Sequence, residues 1–89
     1  MKNYVTGLAY TGGNLITLMQ SNYSDPNFLT YRQATEAGLQ VRKGEKGITL
    51  KRIVTVKKKD KKGVVKMVRI PKFFTVFNLM QTEPRLVEA

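Results

Sequence analysis

Hydrophobic positions along this chain change their spacing once, and the change falls near residue 47. Before it, apolar residues recur at helical intervals. In "NLITLMQSN" (residues 14–22) Leu15, Leu18 and Met19 stand at i, i+3 and i+4. That spacing predicts a short helix with Asn14 as its N-cap. "YSDPN" (residues 23–27) reads as a turn, because Pro26 biases Asp25 away from helix. A second helix is expected within "FLTYRQATEAGLQ" (residues 28–40). Thr30 is placed to cap it, Gln33 three residues on completes a capping box, and Gly38 stops it. Residues 1–13, rich in glycine and small polar residues, read as loop and turn.

Beyond residue 47 the period becomes two. In "ITLKRIVTVKKK" (residues 48–59) Ile48, Leu50, Val54 and Val56 alternate with Thr49, Lys51, Thr55 and Lys57. Arg52 and Ile53 interrupt the alternation, as a β-bulge would. "KDKKG" is a hairpin loop, and "VVKMVRI" (residues 64–70) returns as a second strand that Pro71 ends. "KFFTVFNLM" (residues 72–80) is a third strand, apolar on both faces, with Phe73 or Phe77 expected in the core. "QTEPRLVEA" closes the chain, with residues 84–89 as a polar tail. The order predicts one α+β domain spanning 1–89: two short N-terminal helices packed on one face of a small antiparallel three-stranded meander sheet.

Composition narrows the function. With 89 residues, 42% hydrophobic, the chain fits one folded domain. It has no cysteine and no histidine, which excludes disulfides, thiolate nucleophiles, the usual zinc sites and histidine-based triads. The six carboxylates are scattered, and no two suggest a paired acid and base. A binding protein without catalytic residues, metal or cofactor is therefore expected, not an enzyme. The N-terminus lacks an apolar signal core and no stretch approaches membrane-spanning length, so cytoplasmic residence and no membrane partner are the expectation.

The net charge of +10 is concentrated. Arg42, Lys43, Lys46, Lys51, Arg52, Lys57, Lys58, Lys59, Lys61, Lys62, Lys66, Arg69 and Lys72 all lie within residues 42–72, opposed there only by Glu45 and Asp60. A basic block of that density points to a polyanion, with nucleic acid foremost. Lysines at the hairpin tip also have an ordinary role, since they keep exposed strand edges soluble and unpaired. "RKGEKG" (residues 42–47) is the most specific local feature. Gly44 and Gly47 permit positive φ and close approach to a ligand, and Arg42, Lys43 and Lys46 would line a phosphate site. It is not a P-loop, because the GK[ST] ending is absent. Among the aromatics, Phe28 and Tyr31 read as packing residues. Tyr4, Tyr10 and Tyr23, in loops near glycines, are the better platforms for stacking on unpaired bases.

Several of these stretches together resemble the N-terminal domain of the ArdC family of antirestriction proteins, found on plasmids, phages and other mobile elements. They are "TGLAYTGGN" (residues 6–14), "FLTYRQATEAGLQVRKGEKG" (residues 28–47) and "FFTVFNLMQTE" (residues 73–83). The matching positions are Tyr10, Gly12 and Asn14, then Gln33 and Val41 through Gly47, then Phe77, Asn78, Gln81 and Thr82. Phe28 stands where the family usually has tryptophan. The resemblance implies single-stranded DNA binding, by phosphate neutralisation and base stacking. It also implies that the zinc-peptidase-like domain which usually follows is missing, so the chain is a free-standing relative or a fragment. The expected nucleic-acid-binding residues are Tyr10, Asn14, Arg42, Lys43, Lys46, Lys51, Arg52, Lys57, Lys58, Lys59, Arg69, Asn78 and Gln81. Asn78 and Gln81 would either hydrogen-bond bases or cap backbone. The glycine-framed turn, being pre-shaped, is expected to outweigh a flexible lysine-rich tip. An alternative of another class is a small anti-CRISPR-like inhibitor that docks on a host defence protein or nuclease complex, with Phe74, Val76 and the Val65–Met67 face as its interface.

Overall fold

The computed structural model describes residues 1–85. In chain order the elements are β1 (Lys2–Asn3), α1 (Gly12–Gln20), β2 (Asn27–Thr30), α2 (Tyr31–Glu36), β3 (Leu39–Val41), β4 (Ile48–Lys59), β5 (Val65–Asn78), a 3-10 turn (Leu79–Gln81) and β6 (Thr82–Pro84). The α+β class holds, but the sheet is not a three-stranded meander. It has four strands in the order β1-β2-β5-β4, and β3 pairs with β6 in a separate ribbon. β1 runs parallel to β2, and the other neighbours are antiparallel.

Pro71 does not end a strand. The second and third strands expected from the sequence are one, β5, and it pairs with β4 in unbroken register from Lys59↔Val65 to Ile48↔Val76. The reason is visible one pair away. The backbone N–H and C=O of Lys51 point out of the sheet's edge, to Oδ1 of Asn14 at 3.0 Å and from Nδ2 of Asn14 at 2.8 Å. The Lys51↔Phe73 pair is therefore of the non-hydrogen-bonded kind, and so by alternation is Ile53↔Pro71. The nitrogen of Pro71 faces the free edge of β5, where no ladder bond is asked of it. The same register shows no bulge at Arg52 and Ile53.

Phe28 and Leu29, ahead of the second helix, form a strand not expected from the sequence. Both are fully buried, and a strand sends adjacent side chains to opposite faces of the sheet. The helix begins only after Thr30, with the expected capping box. Gln33 N–H donates to Thr30 Oγ1 at 3.2 Å, and Thr30 N–H donates to Gln33 Oε1 at 3.0 Å. Gly38, at φ +77°, follows the end of α2. In α1 the cap position is Thr11, not Asn14, and the helix starts at Gly12. Its buried stripe is narrow: Leu18 is fully buried, while Met19 is exposed.

The main core is Leu18, Phe28, Leu50 and Val76, with Tyr10, Tyr23, Ile48 and Phe74 packed around it. On the opposite face of the sheet Phe77 meets Tyr31 edge-on, with ring centroids 6.5 Å apart, and is covered by Gly47. Phe77 is thus half-buried, whereas Phe73 is 68% exposed and is no core residue. Full burial of side chains this size contributes about 1.5–3 kcal/mol each. All of this core sits at one end of β4 and β5, and that placement shapes everything beyond it.

Candidate nucleic-acid interface

β2 pairs with β5 only at Val76, Phe77 and Asn78. From there outward β5 has no neighbour except β4, and the two continue as a two-stranded arm. β4 alone, at about 3.4 Å per residue, spans about 40 Å. The arm gives the molecule its extents of 58 × 35 × 24 Å. Its tip is organised rather than loose. The Asp60 carboxylate accepts from Lys62 N–H at 2.8 Å and from Val64 N–H at 2.9 Å, and Gly63 adopts φ +78°.

The arm carries Lys51, Arg52, Lys57, Lys58, Lys59, Lys61, Lys62, Lys66, Arg69 and Lys72, and all of them are exposed. Among the described residues the ion pairs are Arg32–Glu36 and Arg42–Glu45, and neither involves an arm cation. Where the arm leaves the body, an open groove of about 520 Å³ is lined by Thr30, Arg52, Val54, Lys72, Phe73 and Phe74. It combines cations with two aromatic rings. Lys66 and Lys72, counted in the basic block but not among the expected contacts, come beside Lys58 and Arg52 through the strand pairing.

The "RKGEKG" turn is built for closure. Arg42 N–H donates to the Gln81 carbonyl at 2.9 Å, and the Arg42 guanidinium donates to the Met80 carbonyl and pairs with Glu45 at 3.4 Å. Gln81 returns its amide to the Lys46 carbonyl at 2.8 Å and to Glu45 at 3.3 Å. Gly44 takes φ +87°. Gly47 lies so close to β5 that a Cβ there would stand 2.2 Å from Cγ2 of Thr75. Arg42 is thereby tied to the fold, while Lys43 and Lys46 remain exposed.

The structure separates the other expected site residues from the arm. Asn78 and Gln81 are fully buried and cap backbone: Met80 N–H donates to Asn78 Oδ1, and Asn78 N–H donates to Gln81 Oε1. They offer no edge to a base. Asn14 spends its amide on Lys51. Tyr10 packs edge-on against Phe28, with centroids 6.4 Å apart, and its hydroxyl accepts from Asn3 at 3.2 Å. Tyr23 is half-buried against the core, whereas Tyr4 is exposed. The residues that stay together on the arm are Lys51, Arg52, Lys57, Lys58, Lys59 and Arg69, shared between its two faces.

Residues 1–77 match the model of the N-terminal domain of the anti-restriction factor ArdC. The chain belongs to the ArdC N-terminal domain family. A crystal structure of the antirestriction ArdC protein of plasmid R388, metal-free, superposes with a TM-score of 0.83 at 37% identity, covering 96% of this chain and 32% of that one. Its Mn(II)-bound form gives 0.74 at 35% identity. A DNA primase TraC of Escherichia coli is 53% identical over 45 residues, which is 51% of this chain and 4% of the primase. The chain thus spans about a third of the ArdC proteins and a small part of the primase. In this ArdC-type domain, the central motif that carries the resemblance fastens the turn to the end of β5.

Among the described residues no helix is long and apolar enough to cross a membrane.

Proposed function

We propose that this chain is a non-catalytic nucleic-acid-binding module of an antirestriction system, and that it takes single-stranded DNA along the β4–β5 arm. One observation carries the reading: a protruding two-stranded arm bears ten exposed cations with no ion pair among the described residues, and one acid, Asp60, already engaged at the tip turn. Lysine and arginine that neutralise phosphates gain by releasing counterions, and an arm free of internal partners leaves that gain intact. Family membership and the names of the relatives, an antirestriction protein and a DNA primase, favour DNA as the polyanion. Occupying an unpaired strand is how such a module would serve a mobile element against host restriction.

The test is fluorescence anisotropy of a labelled single strand and of its duplex at low and at physiological salt. Affinity for the single strand should fall with log salt by about 0.7 per phosphate contact. No salt-sensitive binding to the single strand would sink the proposal. A docking role on a host protein keeps Val65 and Met67 as exposed contacts at the arm's far end, but not Val76, which is buried in the core, nor Phe74, which packs against it. Capture of host proteins that survives nuclease treatment, without oligonucleotide binding, would favour that role.

A further inference from the structure

The strand register divides the arm's cations into two faces that differ in kind. On the odd-numbered face each cation stands opposite an uncharged residue: Lys51↔Phe73, Thr55↔Arg69, Lys57↔Met67 and Lys59↔Val65. On the even-numbered face the cations stand opposite one another: Arg52↔Lys72 near the body and Lys58↔Lys66 near the tip. Between these two pairs lie Val54↔Ile70 and Val56↔Val68, all four half-buried. Like charges directly opposed across strands destabilise a ribbon. Here two such pairs occur on one face, about 20 Å apart at about 3.4 Å per residue, with an aliphatic floor between them. The inner pair also lines the groove that holds Phe73 and Phe74.

We infer that the even-numbered face is the strand-binding face. Arg52 with Lys72, and Lys58 with Lys66, each clasp a phosphate, and the aliphatic floor takes the bases between them. The inference rests on the nucleic-acid reading above and adds to it a face and two phosphate positions along the arm. A phosphate placed between two opposed cations removes the repulsion that the empty ribbon bears. Phe73, although exposed, shares the odd-numbered face with Lys51 and is no part of this track.

The experiment compares charge-matched variants. One carries Arg52→Ala, Lys58→Ala, Lys66→Ala and Lys72→Ala; the other carries Lys51→Ala, Lys57→Ala, Lys59→Ala and Arg69→Ala. The even-face variant should flatten the salt dependence for a single strand by about 1.4, for two phosphate contacts at about 0.7 each. The odd-face variant should leave the slope near that of the parent. Phe73→Ala, on the odd-numbered face with Lys51, should leave single-strand affinity and slope near those of the parent. Lys58→Glu guards against mere damage to the fold. It replaces a repulsive pair by an attractive one, so thermal stability should rise at low salt while affinity falls. A purely structural role would move both in the same direction. Equal losses from the two faces, or a larger loss from the odd face, would overturn the inference while the nucleic-acid reading stood. Failure of the parent itself to bind would remove that reading instead. Binding of polyglutamate as tight as that of the oligonucleotide, at matched salt, would show a general acceptor of acidic partners and would also overturn it.

Discussion

Gly47 is the residue at which one added carbon meets the most resistance. A Cβ there would lie 2.2 Å from Thr75 and about 3 Å from the Phe77 ring, both on the strand that the turn closes against. Gly47→Ala is expected to cost about 1–3 kcal/mol, as overpacking does. Gly44→Ala meets open space and pays only for its positive φ, about 1 kcal/mol. Thermal unfolding should rank the two in that order, and a reversed order would mean the turn does not press on β5. Gln81→Ala removes a buried amide that serves Asn78, Lys46 and Glu45, so a loss of about 1–3 kcal/mol is expected in urea unfolding. Lys43→Ala and Lys46→Ala should stay within about 0.5 kcal/mol of the parent, since both side chains are exposed. A motif that looks like a ligand site in the sequence thus divides into a structural part, Arg42, Glu45 and Gly47, and two free cations.

At the scale of elements the arm is the feature to be probed. Pro71 faces the free edge of β5, where its missing N–H both costs nothing and blunts the edge against another strand. Pro71→Val should therefore leave the melting temperature nearly unchanged and increase self-association, measured by sedimentation. A large fall in stability would contradict the assigned edge. The elements that were legible in the sequence are those governed by local chemistry. The Thr30–Gln33 capping box, the stop at Gly38 and the alternation of β4 depend on residues a few positions apart. What could not be read depends on pairing. Pro71 looks like a terminator unless the orientation of each ladder bond is known. Phe73 and Phe77 have the same local pattern, yet one is exposed and the other covered, because the turn at Gly47 lies over only one of them. The short strands at Asn27–Thr30, Leu39–Val41 and Thr82–Pro84 exist because partners distant in sequence reach them. The basic surface itself was legible from charge density; its division into two unlike faces was not, since Arg52 and Lys72 become neighbours only through the register. The polar tail beyond Arg85 lies outside the described residues.

For the whole molecule, the radius of gyration of 16.9 Å exceeds the roughly 12 Å expected of a compact chain this long. Every fully buried hydrophobic side chain, from Leu18 to Val76, lies outside residues 54–70. Replacing those residues by a two-residue Asn-Gly turn should therefore leave a folded body with a melting temperature close to the parent's, while single-strand binding drops to background. Loss of folding would show that the arm is part of the core; retained binding would place the interface on the body. The attachment of the arm has its own consequence. Asn14 grips both backbone groups of Lys51 where β4 leaves the body, so helix α1 is bolted to the arm at its root. In mechanical terms the arm is a cantilever and that amide is its fulcrum. A load at the lysine-rich end acts through tens of ångströms, and its torque arrives where Asn14 fastens α1 to β4. A pull on the arm's far end would thus be carried into α1 through the Asn14–Lys51 joint.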